Sequence, residues 1–195
     1  MKKMKSNKKY LSSVATIEKR AEEENKMVVE GYAVVFDEPT DMGGFIEVIE
    51  RGALDNADLK DVCMKYNHED GYPALARTRN KSLQLTIDER GLKVRAELID
   101  TQSNIDIFKM IQSRLLDKMS FAFIVEDAVW ETIDGMDTRR IRGIGKLFDV
   151  AVVDFPAYEQ TEIYARCKNQ IDEEHEQYKK LKFEKEKMRL IIQSL

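Results

Sequence analysis

The sequence predicts a mainly β domain with α elements, an α+β class, followed by a charged helical tail. Three observations carry this. Apolar residues alternate with polar ones in most segments between residues 11 and 154, the period of half-buried strands. One internal segment, 103–118, repeats its apolar residues at helical spacing instead. From Lys168 onward Gly and Pro disappear, and Glu and Lys dominate.

The elements follow in order. Residues 1–10 read as a disordered basic arm, because five of the first nine are lysine and only methionine there could be buried. Segments 11–17 and 27–36 read as a hairpin around the charged stretch 18–26, with Val28, Tyr32, Val34 and Phe36 on one face. Asp37-Glu38-Pro39 stops the second strand, and Met42-Gly43-Gly44 marks a loop. Residues 45–49 form a short strand, and 62–66 another. Leu83, Leu85 and Ile87, then Leu92, Val94, Ala96 and Leu98, flank the turn Asp88-Glu89-Arg90-Gly91. That is the clearest hairpin signal in the chain.

A helix over 103–118 uses Ile107, Phe108, Ile111, Leu115 and Leu116, with Ser103 or Asn104 as its cap. It delivers the chain directly to Ser120. A long hairpin of 120–132 and 138–144 turns at Asp134-Gly135-Met136-Asp137, and a last strand covers 146–154. In the tail Ile171, Tyr178, Leu181, Met188, Ile192 and Leu195 fall on one heptad stripe, interrupted by Glu174 and Lys185. The expected organisation is an arm at 1–10, one domain at 11–167 and a helical tail at 168–195.

Bulk properties narrow the class. A chain of 195 residues suits one core. With 43% hydrophobic and 35% charged residues, that core lies under a heavily charged surface. A net charge of −4 argues against general nucleic-acid binding, which favours basic domains. No apolar run reaches the ~18–20 residues that span a bilayer, and the basic start leads into no apolar signal core. A cytoplasmic protein is expected. Cys63 and Cys167 make neither a disulfide framework nor a metal-ligand spacing, so reduced thiols and no metal are expected.

Three residues carry possible chemistry. His68 ends an apolar alternating run and opens onto Glu69-Asp70-Gly71. Ser120 is the one hydroxyl at the start of the apolar strand Met119-Ser120-Phe121-Ala122-Phe123. Asp149 is the one carboxylate within Leu147-Phe148-Asp149-Val150-Ala151-Val152. A serine hydroxyl is a weak nucleophile until a base takes its proton. His68 is the reasonable base, since His175 lies in the charged tail. Asp149 would orient the imidazole and stabilise its cation; a structural bridge to Arg140 or Arg142 is the other role open to it. Cys63 precedes His68 by five positions, an odd separation that points the two to opposite faces of one strand.

Several short motifs follow one another. They are Glu30-Gly31-Tyr32-Ala33-Val34-Val35-Phe36, Phe45-Ile46-Glu47-Val48-Ile49 with Gly52-Ala53-Leu54, and Tyr66-Asn67-His68-Glu69. Ser120-Phe121-Ala122-Phe123 follows, then Leu147-Phe148-Asp149-Val150 through Pro156-Ala157-Tyr158 and Ala165-Arg166. In this order they resemble the prohead (capsid maturation) proteases of tailed bacteriophages, serine peptidases distantly related to herpesvirus assemblin. The resemblance implies a compact assemblin-like β-barrel with a few peripheral helices and no cofactor. It implies His68 as base, Ser120 as nucleophile and an acid at Asp149. The implied substrates are the major capsid protein with its scaffold segment, and then the protease itself, inside the immature capsid in the host bacterial cytoplasm. The tail helix and basic arm would serve contacts with coat, scaffold or a second copy; neither nucleic acid nor membrane is an implied partner.

The chain departs from that pattern in three places. Ala122 stands where glycine commonly follows the Ser-Phe pair, Asp117-Lys118-Met119 lacks the usual glycine, and Ala76 replaces a glycine before Arg77. Glycine loss near a nucleophile restricts positive φ and close approach, which leaves the oxyanion-hole donors unassigned. A non-catalytic capsid-assembly domain on the same scaffold is the main alternative, and an unrelated hydrolase the second.

Overall fold

A computed structural model describes residues 9–13, 26–154 and 162–193. The chain divides into two compact units, Met1–Gln160 and Thr161–Leu195. The first contains β1 (Lys9–Ser13), β2 (Met27–Val35), β3 (Thr40–Asp41), β4 (Ile46–Ile49), β5 (Cys63–Tyr66), β6 (Ala76–Arg77), β7 (Leu83–Ile87) and β8 (Gly91–Leu98). Helix α1 (Gln102–Gln112), β9 (Lys118–Ile133) and β10 (Met136–Val153) complete it. The second unit is one helix, α2 (Glu162–Gln193).

The larger sheet runs β1-β9-β10-β4-β3, with β5 also on β10 and β6 on β5. β9 and β10 form a long antiparallel hairpin whose two-residue turn, Asp134-Gly135, has φ of 51° and 83°. Asp-Gly accepts that left-handed geometry, which matches the twist of the flanking strands. β10 is one strand where the apolar pattern suggested two. Gly143 and Gly145 interrupt the pattern, yet they only shift the register against β9. Two short strands lie parallel to β10 on successive stretches, β4 at 138–141 and β5 at 149–152.

The smaller sheet is β2-β8-β7, and β2 lies against β9 and β1. The class is mainly β with helices, as expected. Among the described residues the pairings give two sheets rather than a closed barrel. The expected hairpin of 11–17 with 27–36 does not form: β1 pairs with β9, and β2 with β8. β8 buries Leu92, Val94, Ala96 and Leu98 on the same sheet face as Val29 and Val34 of β2, its hydrogen-bonded neighbour. That long-range match outweighs closeness in sequence. The face assigned to β2 also changes partway. Ala33 is an extra residue between Tyr32 and Val34, so Val29 is buried before the bulge and Val34 and Phe36 after it. Val28 and Tyr32 are only half-buried.

Helix α1 ends earlier than its periodicity suggested. Thr101, not Ser103 or Asn104, is the cap, accepting from the Asn104 N–H. Arg114 takes φ 61° just after the C-cap Ser113, and Leu115 is exposed while Leu116 is buried. A five-residue connection therefore separates the helix from β9.

The core centres on β9 and β10. Phe121 and Phe123 stack at 4.7 Å and, with Leu147, Val150 and Val152, are fully buried. Burial of each such side chain stabilises the fold by roughly 1.5–3 kcal/mol. Toward the hairpin turn Arg139 on β10 meets Glu47 on β4, Nη1 to Oε2 at 3.1 Å, with 6% and 1% of the two side chains exposed. In the second unit α2 begins before Lys168, and Leu181, Met188 and Ile192 of the expected stripe are exposed. Residues 1–8, part of the expected arm, and the motif Phe155-Pro156-Ala157-Tyr158 lie outside the described residues.

Candidate active site

β5 is short because the chain turns sharply after Tyr66. Asn67 and His68 take φ of 48° and 58°, conformations that few side chains adopt and Asn tolerates best. This turn folds the imidazole back over the sheet. His68 Nδ1 lies 2.5 Å from Asp149 Oδ1, and the Asp149 side chain is 2% exposed. A neutral ring would donate from Nδ1 to the carboxylate and leave Nε2 as its basic nitrogen.

Register decides which side of the sheet Asp149 faces. On β10 Leu147 opposes Phe123 and Asp149 opposes Ala122, so Phe148 is an extra residue. Without that bulge Asp149 would share the face of Phe121 and Phe123. With it, Asp149 joins Ala151, whose cross-strand partner is Ser120. Residues directly opposite in an antiparallel pair project to the same side. Ser120 and Asp149 therefore occupy one face of neighbouring strands, diagonal to each other at about 7–8 Å. An imidazole held on Asp149 spans a gap of that size. Ser120 itself is buried, and Ser12 of β1 lies in register with it on the other edge of β9.

The family described as Caudovirus prohead serine protease matches residues 15–179. The chain belongs to this family. Its members are serine peptidases of the prohead, so a peptidase site requires a nucleophile, a base and an orienting group within this domain. No curated protein matches the chain, and no solved structure does.

The structure brings His68 and Asp149 into contact and sets Ser120 on their face. Neither arginine considered as a partner for Asp149 takes that role. Arg140 pairs with Glu50 and Glu131, and Arg142 with Asp127. The alternation argument that set Cys63 and His68 on opposite faces does not apply, because β5 ends at Tyr66. Cys63 instead lies in register with Asp149. The glycine departures cost no backbone strain. Neither Ala122 nor Ala76 has positive φ; Ala122 lies opposite Asp149 at the Phe148 bulge and is fully buried.

Further residues shape the site. Lys65, in register with Ala151, forms an ion pair with Asp70. Burial alone would lower its pKa, but the Asp70 hydrogen bond and the charges of Asp149 and Asp70 outweigh it and raise it. Tyr66 and Asn67 both bond to Asp154. Burial pushes the Tyr66 hydroxyl up to about 12, and the Asp154 carboxylate that it bonds adds to the shift. Asp154 carried no chemical role in the sequence reading; an Asn directly before a histidine at a strand end was the available signal. Among the described residues no group of three His, Cys, Asp or Glu is placed to hold a metal ion, and no helix is long and apolar enough to cross a membrane.

Proposed function

We propose that this chain is a serine endopeptidase that cuts the major capsid protein and its scaffold segment within the procapsid, and then itself. Ser120 is the nucleophile, His68 the base and Asp149 the orienting acid. The observation that carries this is the 2.5 Å contact of His68 with the buried Asp149, on the same sheet face as Ser120.

On this reading the steps are these. His68 Nε2 takes the Ser120 proton as Oγ attacks the scissile carbonyl carbon. The carbonyl π electrons move to oxygen and give a tetrahedral oxyanion. Asp149 faces the imidazolium that forms and holds its Nδ1 proton. His68 then gives its proton to the departing amine, leaving an acyl-enzyme on Ser120. Water deprotonated by His68 attacks that ester, and Ser120 leaves with the proton. No cofactor enters these steps.

The test is Ser120→Ala, co-expressed with the cognate coat protein. Coat shortening should cease while circular dichroism and melting temperature hold, because the change removes one oxygen atom. Retained processing would remove Ser120 from the site. One observation favours a second reading, a capsid-assembly domain without catalysis: Ser120 is only 1% exposed. Wild-type protein that binds coat assemblies and leaves coat protein whole would select it.

A further inference from the structure

The turn that aims His68 is bound on one side by a set of hydrogen bonds to Asp154. Asn67 N–H donates to the Val152 carbonyl at 2.9 Å, which continues the β5–β10 alignment by one residue. The Asn67 side chain then makes two bonds to one residue: its amide donates to Asp154 Oδ2 at 2.8 Å, and its carbonyl accepts from the Asp154 N–H at 3.0 Å. The Tyr66 hydroxyl donates to the same Asp154 Oδ2 at 2.6 Å. Tyr66 also meets Tyr72 edge to face at 5.9 Å. Asp154 thus ties the two residues immediately before His68 to the end of β10, the strand that carries Asp149.

We infer that the Tyr66–Asn67–Asp154 clamp is a positioning device for the catalytic histidine, holding the turn in its left-handed conformation so that His68 Nδ1 stays on Asp149. The inference rests on the proposed role of His68 and extends it to three residues outside the triad. Two successive non-glycine residues at positive φ persist only where surrounding bonds fix them. Relaxation of His68 to negative φ would swing its side chain off Asp149. The Asp154 carboxylate accepts from two donors at once. The Tyr66 hydroxyl, with its pKa near 12, stays protonated and donating throughout the working range.

The clamp acts on geometry and not on substrate binding, so its loss should lower kcat and leave KM unchanged. A misplacement of about 1 Å in a reacting group costs on the order of 10²-fold. The experiment compares wild-type protein with Asp154→Ala and Asp154→Asn. It reads coat-cleavage kinetics, melting temperature and the low-field proton resonance of the His68–Asp149 hydrogen bond. Asp154→Ala should lose on the order of 10²-fold in kcat and lose that resonance. Asp154→Asn should restore both, since its amide oxygen still accepts from Tyr66 and Asn67. If Asp154→Ala fails to fold, Asn67→Gly takes its place: glycine can still adopt the same φ, and without the two side-chain bonds to Asp154 the turn is free to leave it.

A retained resonance with unchanged kcat in the alanine or glycine variant would overturn the inference. So would a loss confined to KM, or failure of asparagine to rescue. The resonance is read without turnover. A wild-type protein that shows the resonance but cuts nothing would therefore count against the proposed function and leave the clamp to be judged by the variants' spectra.

Discussion

Replacing Asp149 by Asn tests the electrostatics of the site most directly. The two side chains have the same shape, so packing against Ala122 and Cys63, the register partners of Asp149, is preserved. In the proposed mechanism, what is lost is the carboxylate charge that faces the imidazolium during attack. The contact is 2.5 Å between nitrogen and oxygen, and the acid is 2% exposed. With charge centres about 4 Å apart and an effective dielectric constant of about 20, the attraction is about 4 kcal/mol. If all of it acts in the transition state, kcat should fall about 10³-fold. An asparagine that donates its amide to Nδ1 would also fix the wrong tautomer, which acts in the same direction. The assay is coat-protein cleavage by purified variant, with thermal melting of the same sample. Wild-type kcat in Asp149→Asn would refute the reasoning. So would a large drop in melting temperature with the rate constant of the folded fraction spared, because it would assign Asp149 to structure.

Three more outcomes are expected. Arg139→Ala leaves the Glu47 charge buried without its ion-pair partner and should destabilise the fold by roughly 3–5 kcal/mol, read from urea midpoints; a loss below about 1 kcal/mol would count against the pair's burial. At Gly91 an added Cβ would lie 1.9 Å from the Val34 carbonyl oxygen, so Gly91→Ala should cost about 1–3 kcal/mol by overpacking, and an unchanged urea midpoint would contradict that close approach. Tyr66 titrates near 12 when folded against 10.0 in the free side chain, so the unfolded chain loses this proton first and stability should fall as pH rises from about 10 to 12. Discounted for partial exposure, the shift corresponds to about 1–2 kcal/mol. Tyr66→Phe should flatten that part of the stability curve, and an equally steep fall in the variant would assign it to other groups such as Lys65, whose raised pKa acts in the same direction.

Much of this could be read from local pattern. Alternation marked most strands, and Asp88 to Gly91 marked the β7–β8 hairpin, because period and turn chemistry are properties of a few adjacent residues. His68, Ser120 and Asp149 drew notice for a similar reason: each is a polar group in or ending an apolar run. What could not be read depended on residues far apart. β1 takes its place beside β9 because of a partner more than a hundred positions away. The extra residues Ala33 and Phe148 leave no mark in composition, yet each reverses which side of its strand points inward. Asp154 looked like an ordinary strand end. Its meaning depends on Asn67, 87 positions earlier in the chain.

The bulge at Phe148 has a bearing on how such a chain can change over generations. Between Leu147 and Asp149, the count of residues matters more than their kind. Deleting one residue there, or inserting one, would leave an apolar strand that still pairs with β9. It would also exchange odd for even, sending the carboxylate to the side of Phe121 and Phe123 and a hydrophobe toward Ser120. Changes of two residues restore the order. This stretch should therefore tolerate paired length changes better than single ones, because a single change drives the carboxylate among buried apolar side chains at a cost in stability and takes it away from His68.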